Sequence, residues 1–174
     1  IECVLVNGFG AFVEGVKAIG AACRGIGRMS EEDLAAEPTD PIPVISGNVS
    51  FYNESSRGAA IPPSPIVALA GRVTDVSRVP GQQFKQTGDP VFLIGERKDE
   101  LGGGVYNRLV YDTKGGQLPE PDFGKVRAEA LVMIQSVQAG WVKAAHDIAE
   151  GGLAVCLVEM MLGRRPETGR GLAC

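Results

Sequence analysis

From Phe12 onward, the apolar residues Phe12, Val16, Ile19, Cys23 and Ile26 recur at alternating intervals of four and three. On a backbone of 3.6 residues per turn these positions share one face, so the pattern predicts an amphipathic helix. Gly25 and Gly27 mark its end. A second helical pattern begins after Asp122, whose carboxylate can cap a helix carrying Phe123, Val126, Ala130, Ile134 and Val137 on one side, with Gly140 placed to stop it. A third helix is predicted over residues 153–162, which are apolar except for Glu159; such a helix is expected to be buried on most sides.

Between these helices the period changes. Residues 43–52 (PVISGNVSFY) and 66–73 (IVALAGRV) are rich in β-branched residues and separated by a proline-rich turn, and both read as strands. Residues 90–95 (PVFLIG) form a short apolar run of the kind found in strands covered on both faces. Residues 80–88 are polar and turn-rich and make the best linker, whereas 30–41 (SEEDLAAEPTDP) read as a solvated acidic loop or insertion. The order helix, strand, strand, linker, strand, helix, helix predicts an α/β chain, an α+β arrangement around a mixed sheet, with a domain change near the linker.

Composition narrows the function classes. A net charge of −4 disfavours a nucleic-acid partner, which would require a basic face. No apolar run approaches the ~20 residues of a spanning helix, so no membrane segment is expected. Cys3, Cys23, Cys156 and Cys174 form no CxxC pair, and the chain has a single histidine. A structural zinc site is therefore not expected, and reduced thiols in a cytoplasm are. The chain starts at Ile1 without a charged leader and stops at Cys174 without a terminal element, and it reads as a fragment. Its 24 glycines exceed the ~7% average usage and point to tight turns or close backbone approaches.

Two constellations could carry chemistry. The first is Ser46-Gly47-Asn48-Val49-Ser50. Glycine inside a strand marks either a bulge or a place where another group approaches the backbone, and the side chains of Asn48 and Ser50 lie on one strand face. An amide oxygen suits magnesium, a hard cation commonly shared with nucleotide phosphates. On the residues alone, a bulge with solvated polar side chains is the commoner outcome. The second is His146-Asp147-Ile148-Ala149-Glu150-Gly151-Gly152. Asp147 and Glu150 have the spacing of a capping box, and on pattern alone capping outweighs ligand binding. The same turn could receive an anion, or Asp147 could hold a metal ion bridging to a phosphate. His146 reads as a packed, hydrogen-bonded residue, and the glycine run in Leu101–Tyr106 (LGGGVY) as a tight turn, since it lacks the spacing of a dinucleotide or phosphate loop.

Three segments taken together, PVISGNVSFYNES at 43–55, FKQTGDPVFLIGE at 84–96 with LGGGVY at 101–106, and AAHDIAEGGLAVCLVEM at 144–160, resemble the synthetase component of phosphoribosylformylglycinamidine synthase, within the aminoimidazole ribonucleotide synthetase-like superfamily. The resemblance implies residues 1–79 as the C-terminal part of an N-type synthetase domain and 80–174 as the N-terminal part of a C-type domain. It implies an ATP-dependent ligase of purine biosynthesis that takes formylglycinamide ribonucleotide, magnesium and glutamine-derived ammonia. The implied partners are a glutaminase subunit or domain and the rest of the synthetase chain, and open sheet edges would allow a homodimer. Residue by residue, it implies Gly47 at the nucleotide, Asn48 and Asp147 at Mg2+, and Ser50 at the substrate.

The family keeps its catalytic histidine and most metal carboxylates in a part this sequence does not match, so no catalytic residue is assigned. The sequence departs from the family at Ala149, where a serine is usual, and at Gly102-Gly103-Gly104, where the family commonly has GGS. Two other readings stay open. One is a non-catalytic module that holds a nucleotide for stability. The other is a sister enzyme such as a selenophosphate synthetase or a thiamine-monophosphate kinase, against which the SGNVSFYNE segment argues.

Overall fold

The computed structural model describes residues 2–29, 38, 40–49, 55–58, 61, 64–113 and 115–162. The described residues form two compact units, one of residues 1–72 with Val126–Ala128, the other of 73–125 with 129–174. Four α-helices and one short 3-10 turn carry the regular structure: α1 Glu2–Ile26, the turn Val76–Arg78, α2 Val105–Tyr111, α3 Phe123–Gln138 and α4 Gly152–Leu162.

In the first unit, α1 runs from ten residues before the predicted start to the predicted end, and Gly27 leaves it at a φ of +67°. A side chain at Gly27 would meet Pro38 at 2.3 Å, so the glycine both permits the left-handed turn and admits the returning chain. That return is fixed by Arg28 N–H donating to the Asp40 carbonyl at 2.7 Å and Ile42 N–H to the Cys23 carbonyl at 2.9 Å. The Arg28–Asp40 ion pair at 3.2 Å is solvent-exposed and adds little. Phe12, Ile19, Cys23 and Ile26 are half-buried as the pattern predicts, but Val16 stands exposed. Arg127 is only 1% exposed, and its guanidinium donates to the carbonyls of Ile26 at 2.7 Å and Arg28 at 3.2 Å. A cation at the carbonyl end of α1 complements the helix dipole and satisfies acceptors that lack an intrahelical partner.

In the second unit, Asp122 caps α3 as expected, accepting from Lys125 N–H at 3.1 Å. The helix closes through a pair of bonds from Gly140 N–H to the Val137 carbonyl and from Trp141 N–H to the Ser136 carbonyl, both 3.0 Å. This is the Schellman arrangement, and it requires the left-handed backbone that Gly140 takes at φ +74°. Lys125 pairs with Glu96 at 3.0 Å, which holds the Glu96 carboxyl below its ordinary range and the Lys125 ammonium above its own. Arg78 donates to the Gln138 carbonyl and pairs with Asp75 at 3.1 Å, tying the 3-10 turn to the end of α3.

Three differences from the sequence pattern stand out among the described residues. No strand forms among the described residues, so the mixed sheet is not seen there; the one β-contact is an isolated parallel bridge between Gly81 and Ala144. Residues 43–49, 66–73 and 90–95 make no ladder among the described residues, and a strand needs a neighbour to pair its backbone. Their apolar side chains stand in solvent, with Ile45 87%, Ile66 98% and Phe92 81% exposed. Second, α4 is not covered all round. Only Cys156 and Met160, one helical turn apart, are buried, while Leu162 is exposed. Third, the predicted turn at 101–104 continues into a helix, α2, whose seven residues are too few for periodicity to reveal. The turn itself is as expected. Gly102 N–H donates to the Gln117 carbonyl at 2.9 Å, and a side chain at Gly102 would meet that carbonyl oxygen at 2.3 Å. Of the acidic stretch, residues 30–37 and Thr39 lie outside the described residues.

These contacts order the cost of substitutions. Asp122→Ala should lower stability by about 1 kcal/mol through loss of the cap. Gly102→Ala should cost about 1–3 kcal/mol because backbone, not a flexible side chain, blocks the new methyl. Urea unfolding monitored by circular dichroism checks both. The depressed Glu96 carboxyl contributes stability above its ordinary 4.5 that is lost as pH falls through the lowered value. The raised Lys125 contributes below 10.5 and loses its share as pH rises through its own value. A carbon-13 titration should place Glu96 below 4.5 and return it to about that value in Lys125→Met.

Candidate functional site

In the first unit, Gly47 and Asn48 lie in an extended, solvent-exposed run. None of the described residues lies within 4 Å of the position a side chain would take at Gly47, and its φ is not left-handed. Among the described residues, neither backbone strain nor a packed neighbour requires glycine at this position. The space over its backbone is open to a ligand. Asn48 presents its amide to solvent. Ser50, the predicted substrate contact, lies outside the described residues.

In the second unit, the chain that carries Asp147 is anchored from both sides. Ala145 N–H donates to the Gly81 carbonyl at 3.0 Å next to the Gly81–Ala144 bridge, and Lys143 pairs with Asp89 at 2.7 Å. On the far side, Phe84 N–H donates to the Met160 carbonyl at 3.1 Å, which fixes α4 against the same segment. His146 is packed and hydrogen-bonded, as its sequence context suggests. Its Nδ1 lies 2.8 Å from the Asp147 carbonyl oxygen and its ring is 12% exposed. That contact makes Nδ1–H the donor in the neutral ring. Nε2 faces Glu159 at 3.6 Å, beyond hydrogen-bond reach.

The capping box is not formed. Helix α4 starts at Gly152, five residues beyond Asp147, because Gly151 and Gly152 both take positive φ values and turn the chain before the helix can begin. A side chain at Gly151 would meet Val155 at 2.4 Å, so glycine is a packing requirement there. Released from capping, the Asp147 carboxylate is 80% exposed and faces His146 Nδ1 at 3.4 Å. It is an exposed hard-oxygen donor beside the His146 ring.

Magnesium takes six oxygens in a near-octahedral shell and keeps water and phosphate oxygens among them. Asn48 and Asp147 are donors of the right kind. No group of three or more His, Cys, Asp or Glu side chains gathers among the described residues. Asn48 and Asp147 belong to different units, and each is described within its own.

Sequence reasoning missed a cationic cleft in the second unit. Ser77, Arg78, Lys85 and Lys143 line an open depression of about 350 Å3 together with Val137 and Val142. These residues come from four separate segments, and no local motif announces their meeting; the only signal was Lys85, inside the FKQTGDPVFLIGE block.

Residues 86–165 match the family described as AIR synthase related protein, C-terminal domain. The chain is 39% identical over 154 residues to the phosphoribosylformylglycinamidine synthase subunit PurL of Methanothrix thermoacetophila. It is 38% identical over the same length to the subunit of that name from Symbiobacterium thermophilum. The family match takes in 80 of the 174 residues, a little under half of the chain. Each alignment takes in 88% of this chain but only 19% and 18% of the two relatives, so the chain spans about a fifth of the length of the curated relatives it matches. No solved structure matches it. Among the described residues no helix is long and apolar enough to cross a membrane.

The open space at Gly47 yields a direct expectation. Gly47→Ala should leave stability unchanged or raise it by about 0.4–1 kcal/mol, since the methyl meets nothing and the unfolded chain loses freedom. Thermal unfolding checks this; a clear loss would mean that the glycine serves the fold.

Proposed function

We propose that this chain is a fragment of an ATP-dependent ligase of purine biosynthesis, the synthetase that converts formylglycinamide ribonucleotide to formylglycinamidine ribonucleotide. The observation that carries this reading is the similarity to PurL subunits over 154 residues, 88% of the chain. In the proposed reaction the amide oxygen of the substrate takes the γ-phosphoryl group of ATP and ADP leaves. Ammonia from glutamine then attacks the iminophosphate carbon and inorganic phosphate departs. A glutaminase subunit or domain would supply the ammonia, and the cytoplasm is the fitting compartment.

On this reading residues 1–79 are the end of an N-type domain and 80–174 the beginning of a C-type domain, and the apolar runs at 43–52, 66–73 and 90–95 are strands of a mixed sheet. The open backbone at Gly47 admits a nucleotide phosphate. The Asn48 amide oxygen and the Asp147 carboxylate offer ligands to Mg2+, and Ser50 faces the substrate. Bound Mg2+ would neutralise the phosphate oxygens. The chain's own residues would offer oxygens to the ion, and the exposed backbone at residue 47 supports the approach of a phosphate. No group among the described residues is placed as general acid or base, which also suits a module that holds a nucleotide without turning it over.

Calorimetric titration with Mg-ATP tests the reading. Saturable binding is expected, weakened about tenfold, roughly 1.4 kcal/mol, in Asn48→Ala. Absence of binding, or equal binding by the variant, contradicts the site. With formylglycinamide ribonucleotide and ammonia added, the chain alone should form no product, because about four-fifths of the relatives' length lies outside it. Product analysis by chromatography checks this.

A further inference from the structure

We propose that the cleft bounded by Arg78, Lys85 and Lys143 is a binding subsite for a small multivalent oxyanion, a polyphosphate or polycarboxylate group, separate from the nucleotide site read at Gly47 and Asn48. The ten residues lining this cleft include three cations and no carboxylate, in a chain whose net charge is −4. A depression walled by one sign of charge with an apolar lining focuses the field toward its mouth. Val137 and Val142 supply apolar lining beside Ser77, whose hydroxyl donates to Asp75 at 2.6 Å.

The cations are unequally engaged. Lys143 gives one of its three donors to Asp89 at 2.7 Å. Arg78 uses Nε on Asp75 at 3.1 Å and Nη1 on the Gln138 carbonyl, which holds the guanidinium in place with a further nitrogen unspent. Lys85 has no ion-pair partner among the described residues. Its ammonium lies 2.9 Å from the point where a side chain at Gly81 would begin, so the bare backbone at Gly81 makes room for it. Gly81 is itself fixed by its bridge to Ala144, which gives the cleft a rigid edge. After the charges of Asp75 and Asp89 are counted, one full positive charge and several N–H donors remain for a ligand. Paired ammonium and guanidinium groups favour an acceptor with several charged oxygens over a single carboxylate.

Trp141, the single tryptophan, is 79% exposed and sits in the chain between the lining residues Gly140 and Val142, so its fluorescence reports on the cleft. The test is titration of the chain with pyrophosphate, and separately with citrate, in metal-free buffer at constant ionic strength. The expected result is a saturable change with at least one of the two anions, weakened about tenfold or more in Lys85→Gln. Lys98→Gln, which removes an exposed lysine outside the cleft, should bind as the parent does. Response to pyrophosphate alone identifies a phosphate ligand, and response to citrate alone a polycarboxylate. Circular dichroism verifies that each variant keeps its helices; should Lys85→Gln lose them, Lys143→Gln carries the same expectation. No saturable change with either anion overturns the proposal, as does an equal loss in Lys98→Gln or undiminished binding in Lys85→Gln.

Discussion

The second unit depends on one small piece of backbone pairing. Gly81 and Ala144 form a parallel bridge, and the Gly81 carbonyl accepts from Ala145 N–H at 3.0 Å. With the Phe84–Met160 bond, this brings the segment after the 3-10 turn, the approach to the His146–Gly152 turn and the end of α4 into one place. A side chain at Gly81 would contest the position of Lys85, so the same residue serves the pairing and the cationic cleft. Buried backbone groups require partners, and here two or three bonds do the joining that a full sheet ladder does in larger arrangements.

Where a signal was local, it could be read from the sequence. Helix α3 has its cap at Asp122 and its closing glycine at 140, because capping and Schellman closure depend on residues within one turn of the helix end. The end of α1 at Gly27 is legible for the same reason. Where a prediction depended on distant partners, it was not secured. The runs 43–49, 66–73 and 90–95 have strand composition but form no ladder among the described residues, since β-propensity describes fit to a neighbouring strand. Helix α4 shows the same dependence. Its apolar character calls for burial on several sides, and Cys156 and Met160 alone obtain it.

The candidate site divides along the same line. That Gly47 has unusual freedom could be inferred from glycine inside an apolar run, but only the coordinates distinguish a bulge from open space. The Asp147 carboxylate looked like a cap by spacing, and the positive φ values of Gly151 and Gly152 decide otherwise by delaying the helix. Freed from that duty, it faces solvent beside His146, as a ligand donor would. The cleft formed by Arg78, Lys85 and Lys143 was invisible in the sequence because its charges are drawn from segments up to 65 residues apart, and only folding assembles them.

The central claim is that a metal-bound phosphate meets the main chain at residue 47 with the Asn48 amide as a cation ligand. Replacing Mg2+ by Mn2+ in the presence of ATP makes this directly visible, because the paramagnetic ion broadens nearby nuclear resonances. The account predicts selective loss of the Gly47 backbone and Asn48 side-chain amide signals in the nitrogen-proton spectrum, reversed by excess Mg2+. Those two signals keeping their intensity, while any broadening falls elsewhere on the chain, would contradict it.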